Sequence, residues 1–176
     1  TVTYDVQDAA GNQATQVTRT VTVVDTTAPV ITVLSGTDTV EMGSTWTDAG
    51  ATADGGETVT SSGTVDTSTV GTSTITYSAT DAEENTGTAT RTVTVVDTTA
   101  PVITVLSGTD TVEMGSTWTD AGATADGGET VTSSGTVDTS TVGTSTITYS
   151  ATDAEENTGT ATRTVTVVDT TAPVIT

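Results

Sequence analysis

Apolar residues in this chain tend to fall at every second position. In Thr74-Ile75-Thr76-Tyr77-Ser78-Ala79 and again in Thr92-Val93-Thr94-Val95 the alternation is strict, the two-residue period of a strand with one buried face. Ile75, Tyr77, Ala79, Val93 and Val95 are therefore the inward set. No window sustains an apolar stripe at i, i+3 and i+4 over successive turns, so no helix is predicted. Thr and Val dominate, and both suit a half-buried pleated surface. Turn residues cut the pattern at Ser35-Gly36, Gly43-Ser44, Asp54-Gly55-Gly56, Ser62-Gly63, Val70-Gly71 and between Asp81 and Gly87. Seven strands follow, at roughly 30–34, 38–42, 45–53, 57–62, 64–69, 72–80 and 87–96. The expected core is Val30, Ile31, Val33, Leu34, Val40, Met42, Trp46, Val59, Val65, Val70, Ile75, Tyr77, Val93 and Val95. Trp46 reads as a core anchor, being the only Trp of its segment.

The pattern recurs. Residues 29–100 repeat without mismatch as 101–172, a period of 72 residues. Pro173 begins a further copy that reaches Thr176. Residues 1–28 resemble the end of a divergent copy: Thr1-Val2-Thr3-Tyr4 matches Thr74 to Tyr77, and Arg19 to Asp25 matches Arg91 to Asp97 outright. The domain reading is thus the C-terminal strands of a preceding repeat at 1–28, two complete repeats at 29–100 and 101–172, and the first strand of another at 173–176. Opening on Thr1-Val2-Thr3, the chain reads as an excerpt of a longer polypeptide. About seven short strands per repeat at this spacing predict an all-β chain of tandem Ig-like β-sandwich domains.

Composition narrows the function. The chain carries 23 acidic residues against three basic ones, Arg19, Arg91 and Arg163, for a net charge of −20. Such a surface repels phosphate, which argues against nucleic-acid partners and anionic membranes. No apolar run approaches a membrane span, so no membrane insertion is expected. There is no Cys, His or Lys, hence no thiolate, imidazole or amine to activate a nucleophile and no zinc site of the usual kind. Isopeptide bonds, which need Lys, and thioesters, which need Cys, are excluded too. Paired carboxylates alone cleave glycosides only when a cleft holds the substrate between them, and here they fall on turns. The chain is not expected to be an enzyme. A roughly 70-residue β domain without disulfides is marginally stable, so support from neighbouring repeats of the same chain or from an ion is expected.

Five segments together carry a resemblance: Asp25 to Thr32, Thr45 to Thr52, Gly63 to Gly71, Tyr77 to Asp81 and Arg91 to Asp97. They resemble the bacterial surface-protein Ig-like domains, relatives of HYR-type repeats and common in large adhesins. The resemblance implies an extracellular or cell-surface location. One departure stands out. Relatives carry Asp-x-x-Gly-Asn in the penultimate turn, as Asp8 to Asn12 does, whereas the repeats put Glu84 in place of the Gly, beside Glu83. That places the usual turn geometry in question.

With Ig-like strand order, Asp25, Asp54, Glu57, Asp81, Glu83 and Glu84 converge on one end of the sandwich. Asp97, Asp126, Glu129, Asp153, Glu155 and Glu156 do the same one repeat later. Six carboxylates repel one another unless neutralised, and the Arg lies too far along its strand to help. Calcium, which takes six to eight oxygen ligands in flexible geometry, is the natural partner. The competing reading is that Asp and Glu cap turns and keep a secreted protein soluble. Asp48 is a further candidate, with a local bond to the backbone at Gly50 as its alternative role. The leading function is a structural spacer or stalk that projects a distal domain, in an adhesin. The alternative is a subunit of an extracellular filament, sheath or surface layer, with copies of itself as partners. A glycan- or protein-binding module is a third reading.

Overall fold

The computed structural model describes residues 1–175, and they form strands and loops without a helix. The chain divides into two compact units, Thr1–Val95 and Val96 onward. The first unit opens with a hairpin, β1 (Val2–Tyr4) against β2 (Val17–Arg19). The first repeat supplies β3 (Ile31–Val33), β4 (Thr39–Glu41), β5 (Ala51–Ala53), β6 (Thr60–Ser62), β7 (Gly71–Thr80) and β8 (Thr86–Val96). The second supplies β9 (Ile103–Val105), β10 (Thr111–Glu113), β11 (Ala123–Ala125), β12 (Thr132–Ser134), β13 (Gly143–Thr152) and β14 (Thr158–Val168).

Each repeat is built from a four-stranded sheet, ordered β4-β8-β7-β6 or β10-β14-β13-β12, and a two-stranded sheet, β3-β5 or β9-β11. The long β7–β8 hairpin pairs ten residues, from Gly71↔Val95 to Thr80↔Thr86. Its inward face holds the predicted set: Ile75, Tyr77, Ala79, Val93 and Val95 are all buried. Val40 completes a cluster with Val93 and Val95, and Trp46 and Val65 pack against it. Trp46 is half-buried, its indole N–H donating to the Thr37 carbonyl at 2.7 Å. That satisfies the one polar atom an enclosed Trp must place. At the start of β8, a methyl group built on Gly87 would overlap the Pro29 carbonyl oxygen. Gly87 thus lets the chain that begins the repeat lie directly on β8.

Three expectations change. Six strands form per repeat rather than about seven: the stretch 64–69 pairs with nothing as a strand, because Asp66 Oδ1 accepts from both the amide and the hydroxyl of Ser68 and turns the chain. The stretch 45–53 shortens to β5, because Asp48 Oδ1 takes the Gly50 amide at 2.9 Å and Gly50 adopts a φ of 79°. Four predicted core residues, Val30, Leu34, Met42 and Val70, are exposed. Val30 and Leu34 lie on the opposite parity from Ile31 and Val33, and a strand cannot turn both sets inward. Met42 sits in the turn where Ser44 N–H bonds to the Glu41 carbonyl, and Val70 in the turn ahead of β7.

The hairpin shows how much the core depends on partner strands. Arg19 to Asp25 is the same sequence as Arg91 to Asp97, yet Val21 and Val23 are 56% and 92% exposed while Val93 and Val95 are 0% and 1% exposed. Among the described residues β2 pairs only with β1, whereas β8 lies between β4 and β7. Pro173 to Ile175 form no strand, and Thr176, the end of the strand expected at 173–176, lies outside the described residues.

Candidate functional site

The turn between β7 and β8 is organised by Asp81. Its Oδ1 accepts from the Glu83 amide (3.0 Å) and the Asn85 amide (2.8 Å), and its Oδ2 from Asn85 Nδ2 (2.8 Å). The Asn85 side chain is the foremost reason its carboxyl is held below the ordinary value, burial opposing and the two amides assisting. Asp8 and Asn12 make the same loop in the divergent copy, with bonds of 3.0, 2.8 and 2.8 Å. The fourth loop residue has positive φ in both: 89° at Gly11 and 68° at Glu84. Replacement of Gly by Glu therefore preserves the turn and pays in backbone strain, since only Gly occupies the left-handed region freely. Glu156 repeats this with a φ of 68°.

The segment ahead of the repeat approaches this turn. Asn85 Nδ2 also donates to the Asp25 carbonyl at 3.3 Å, and Asp25 Oδ1 accepts from the Thr27 amide at 2.9 Å. Carboxylate oxygens of Asp25, Asp81 and Glu83 lie within 4.8 Å of one another. Asp54 and Glu57 line the same cleft, together with Thr27, Ala28, Pro29 and Ala82. Asp54 Oδ1 accepts from the Val30 amide at 2.9 Å. Glu57 is half-buried, and its Oε2 is enclosed without a hydrogen-bond partner. Five of the six carboxylates expected here thus share one cleft; Glu84, at the exposed tip of the turn, does not line it.

The second repeat keeps the loops but not the close trio. Asp153 accepts from the Glu155 and Asn157 amides at 3.0 and 2.8 Å, and Asn157 Nδ2 reaches the Asp97 carbonyl at 3.1 Å. Asp126 Oδ1 accepts from the Val102 and Gly127 amides. Glu129 and Asp153 line one cleft, Glu129 Oε2 is enclosed and unpartnered like its counterpart, and Glu155 and Glu156 are exposed. Among the described residues, the 4.8 Å grouping occurs at Asp25, Asp81 and Glu83 alone.

A second polar cluster lies inside each sandwich. Arg91 is 3% exposed and projects from the middle of β8. Its Nη1 pairs with Asp38 Oδ1 at 2.9 Å, its Nε lies 3.8 Å from Asp48 Oδ1, and its Nη2 donates to the Leu34 carbonyl. Tyr77 Oη donates to Asp48 Oδ1 at 2.5 Å. Burial pushes the Asp48 carboxyl up, but the Tyr77 hydroxyl, the Gly50 amide and the Arg91 charge together hold it below the ordinary value. Burial, reinforced by Asp48, pushes the Tyr77 phenol up. Asp48 is therefore committed to the fold, bonding locally to Gly50 and across the sandwich to Tyr77. The sequence did carry a sign of this cluster: Arg91 shares the parity of Val93 and Val95, so alternation alone turns it inward. Arg163 occupies the same position, 3.3 Å from Asp110 and 4.0 Å from Asp120.

A family model described as the Ig-like domain of bacterial surface proteins matches residues 32–95 and again 104–167. The two matches start 72 residues apart, the period of the repeat. No curated protein matches the chain. Among solved structures, the crystal structure of a lipoprotein from Bacteroides thetaiotaomicron is similar at 19% identity, covering 78% of this chain and 80% of that one. The TM-score of that match is 0.34.

Proposed function

The chain belongs to the bacterial surface protein Ig-like domain family, and from that premise we propose that it is a spacer, a run of stalk repeats that holds a distal domain of an adhesin away from the cell surface. One observation carries this reading: residues 29–100 recur without mismatch as 101–172. Copies with the same sequence add no second specificity. What duplication adds is length. The fold supports it, because the polar side chains buried in each repeat are used internally, Arg91 on Asp38 and Leu34, and Tyr77 on Asp48. No catalytic role is assigned, for want of any Lys, His or Cys.

The test is replacement in the parent surface protein. Deleting one 72-residue repeat should weaken surface attachment, and an unrelated Ig-like sandwich of equal length should restore it. Loss of function with the equal-length replacement would contradict a spacer and favour a binding module. Spontaneous assembly of the purified chain into fibres would favour the filament subunit instead.

Within this reading, calcium is the ligand we assign to the cleft of Asp25, Asp54, Glu57, Asp81 and Glu83. Support comes from an all-oxygen donor set, which suits that ion, from the 4.8 Å grouping of three carboxylates and from the enclosed, unpartnered Glu57 Oε2. A cation bound to the folded form alone raises its stability by linkage. The melting midpoint of the full chain should therefore rise with calcium and fall with EDTA; an unchanged midpoint would overturn the assignment.

A further inference from the structure

We propose that Glu113 is a clamp on the linker that leaves its repeat, a positioning residue that ties residues 169–171 to the end of β10 and so stiffens the joint of a longer array. Strand β10 runs parallel to β14, with Glu113 opposite Val168. The ladder ends there with the Met114 amide donating to the Val168 carbonyl at 2.6 Å. Beyond that point the backbone has no strand to pair with, and the Glu113 carboxylate takes over. Its Oε1 accepts from the Thr170 amide at 2.7 Å and the Thr171 hydroxyl at 2.9 Å, and its Oε2 from the Thr170 hydroxyl at 2.8 Å. The Thr171 amide goes to Asp169 Oδ1 at 3.1 Å. Both amides and both hydroxyls of the Thr pair are thus engaged.

The residue types fit the task. A carboxylate offers two oxygens and no donor, so one side chain receives all three bonds, and the charge shortens and strengthens them. A Gln presents one acceptor oxygen and turns an N–H₂ toward the remaining donors. The Thr170 amide leads the bonds that hold the Glu113 carboxyl below its ordinary value. The first repeat has the same Glu at 41, and the same Asp97-Thr98-Thr99 follows its β8. At the other end of that linker the Asp97 carbonyl accepts from Asn157 Nδ2. The clamp stands on these bonds; its purpose, a stiff array, rests on the spacer reading.

Amide exchange on the full chain, in two variants, tests it. In Glu113→Gln, the Thr170 amide should exchange with solvent roughly tenfold faster than in the parent chain. Thr170→Val, which alters only the linker side, should accelerate it less, since the amide bond survives. Unaltered Thr170 exchange in Glu113→Gln would overturn the proposal. Array length scaling with repeat number would still hold in that case, so this failure is distinct from failure of the spacer reading.

Discussion

Glu84 stands where the divergent copy has Gly11, and it adopts the same left-handed backbone. A non-Gly residue there costs roughly 1–2 kcal/mol, against roughly 0.4–1 kcal/mol of unfolded-chain entropy that a Gly would add. Glu84→Gly should therefore raise the stability of its repeat by about 1 kcal/mol in thermal or urea unfolding. A loss would mean that the Glu side chain supports the turn. Tyr77 and Arg91 act in the other direction. Tyr77→Phe removes the donor to Asp48 inside the sandwich and should cost about 2 kcal/mol, the scale of a hydrogen bond to a charged group. The Asp48 carboxyl should titrate higher in that variant, which NMR of the side-chain carbons reads directly.

At the scale of elements, the β7–β8 hairpin was legible because one face is buried along its length, so the two-residue period survives into the sequence. The short strands were not. What limits β5, and what keeps 64–69 from becoming a strand, are Asx bonds from Asp48 and Asp66 to backbone two residues on, which the Thr- and Val-rich composition hides. The joint was legible in part: turn positions placed the carboxylates at one end, but only the fold shows Asp25 and Glu83 beside Asp81 and Glu84 apart from them. Gly87→Ala should be strongly destabilising, about 3 kcal/mol or more, because the added methyl meets a backbone carbonyl that cannot step aside. A melt unchanged in that variant would mean that the Pro29 carbonyl does not lie directly on β8. These same Asx and loop carboxylates set the acid limit. Asp48, Asp66 and Asp81, and their copies Asp120, Asp138 and Asp153, are all held below their ordinary values. A group depressed in the fold stabilises above its unfolded value, about 3.9 for Asp, and that contribution is lost as pH falls through the folded value. The midpoint should hold from neutrality to about pH 5 and drop below about pH 4.

For the whole molecule, a net charge of −20 with three Arg residues means that each folded unit carries more repulsion than its ion pairs relieve. Arg91 and Arg163 are used up inside the sandwiches. Like charge disfavours association between copies whose sequences are the same, for which strand exchange is a hazard. On the spacer reading length is the property that repetition supplies, and length is what should be measured. Chains extended by one, two and four further copies of residues 29–100 should be compared by small-angle scattering. If the repeats are a spacer, the maximum dimension rises linearly, by roughly 30–40 Å per copy, as strands of about ten residues at about 3.3 Å per residue allow. A dimension that grows only as the cube root of chain length would mean that the copies pack into a globule, and would contradict the account.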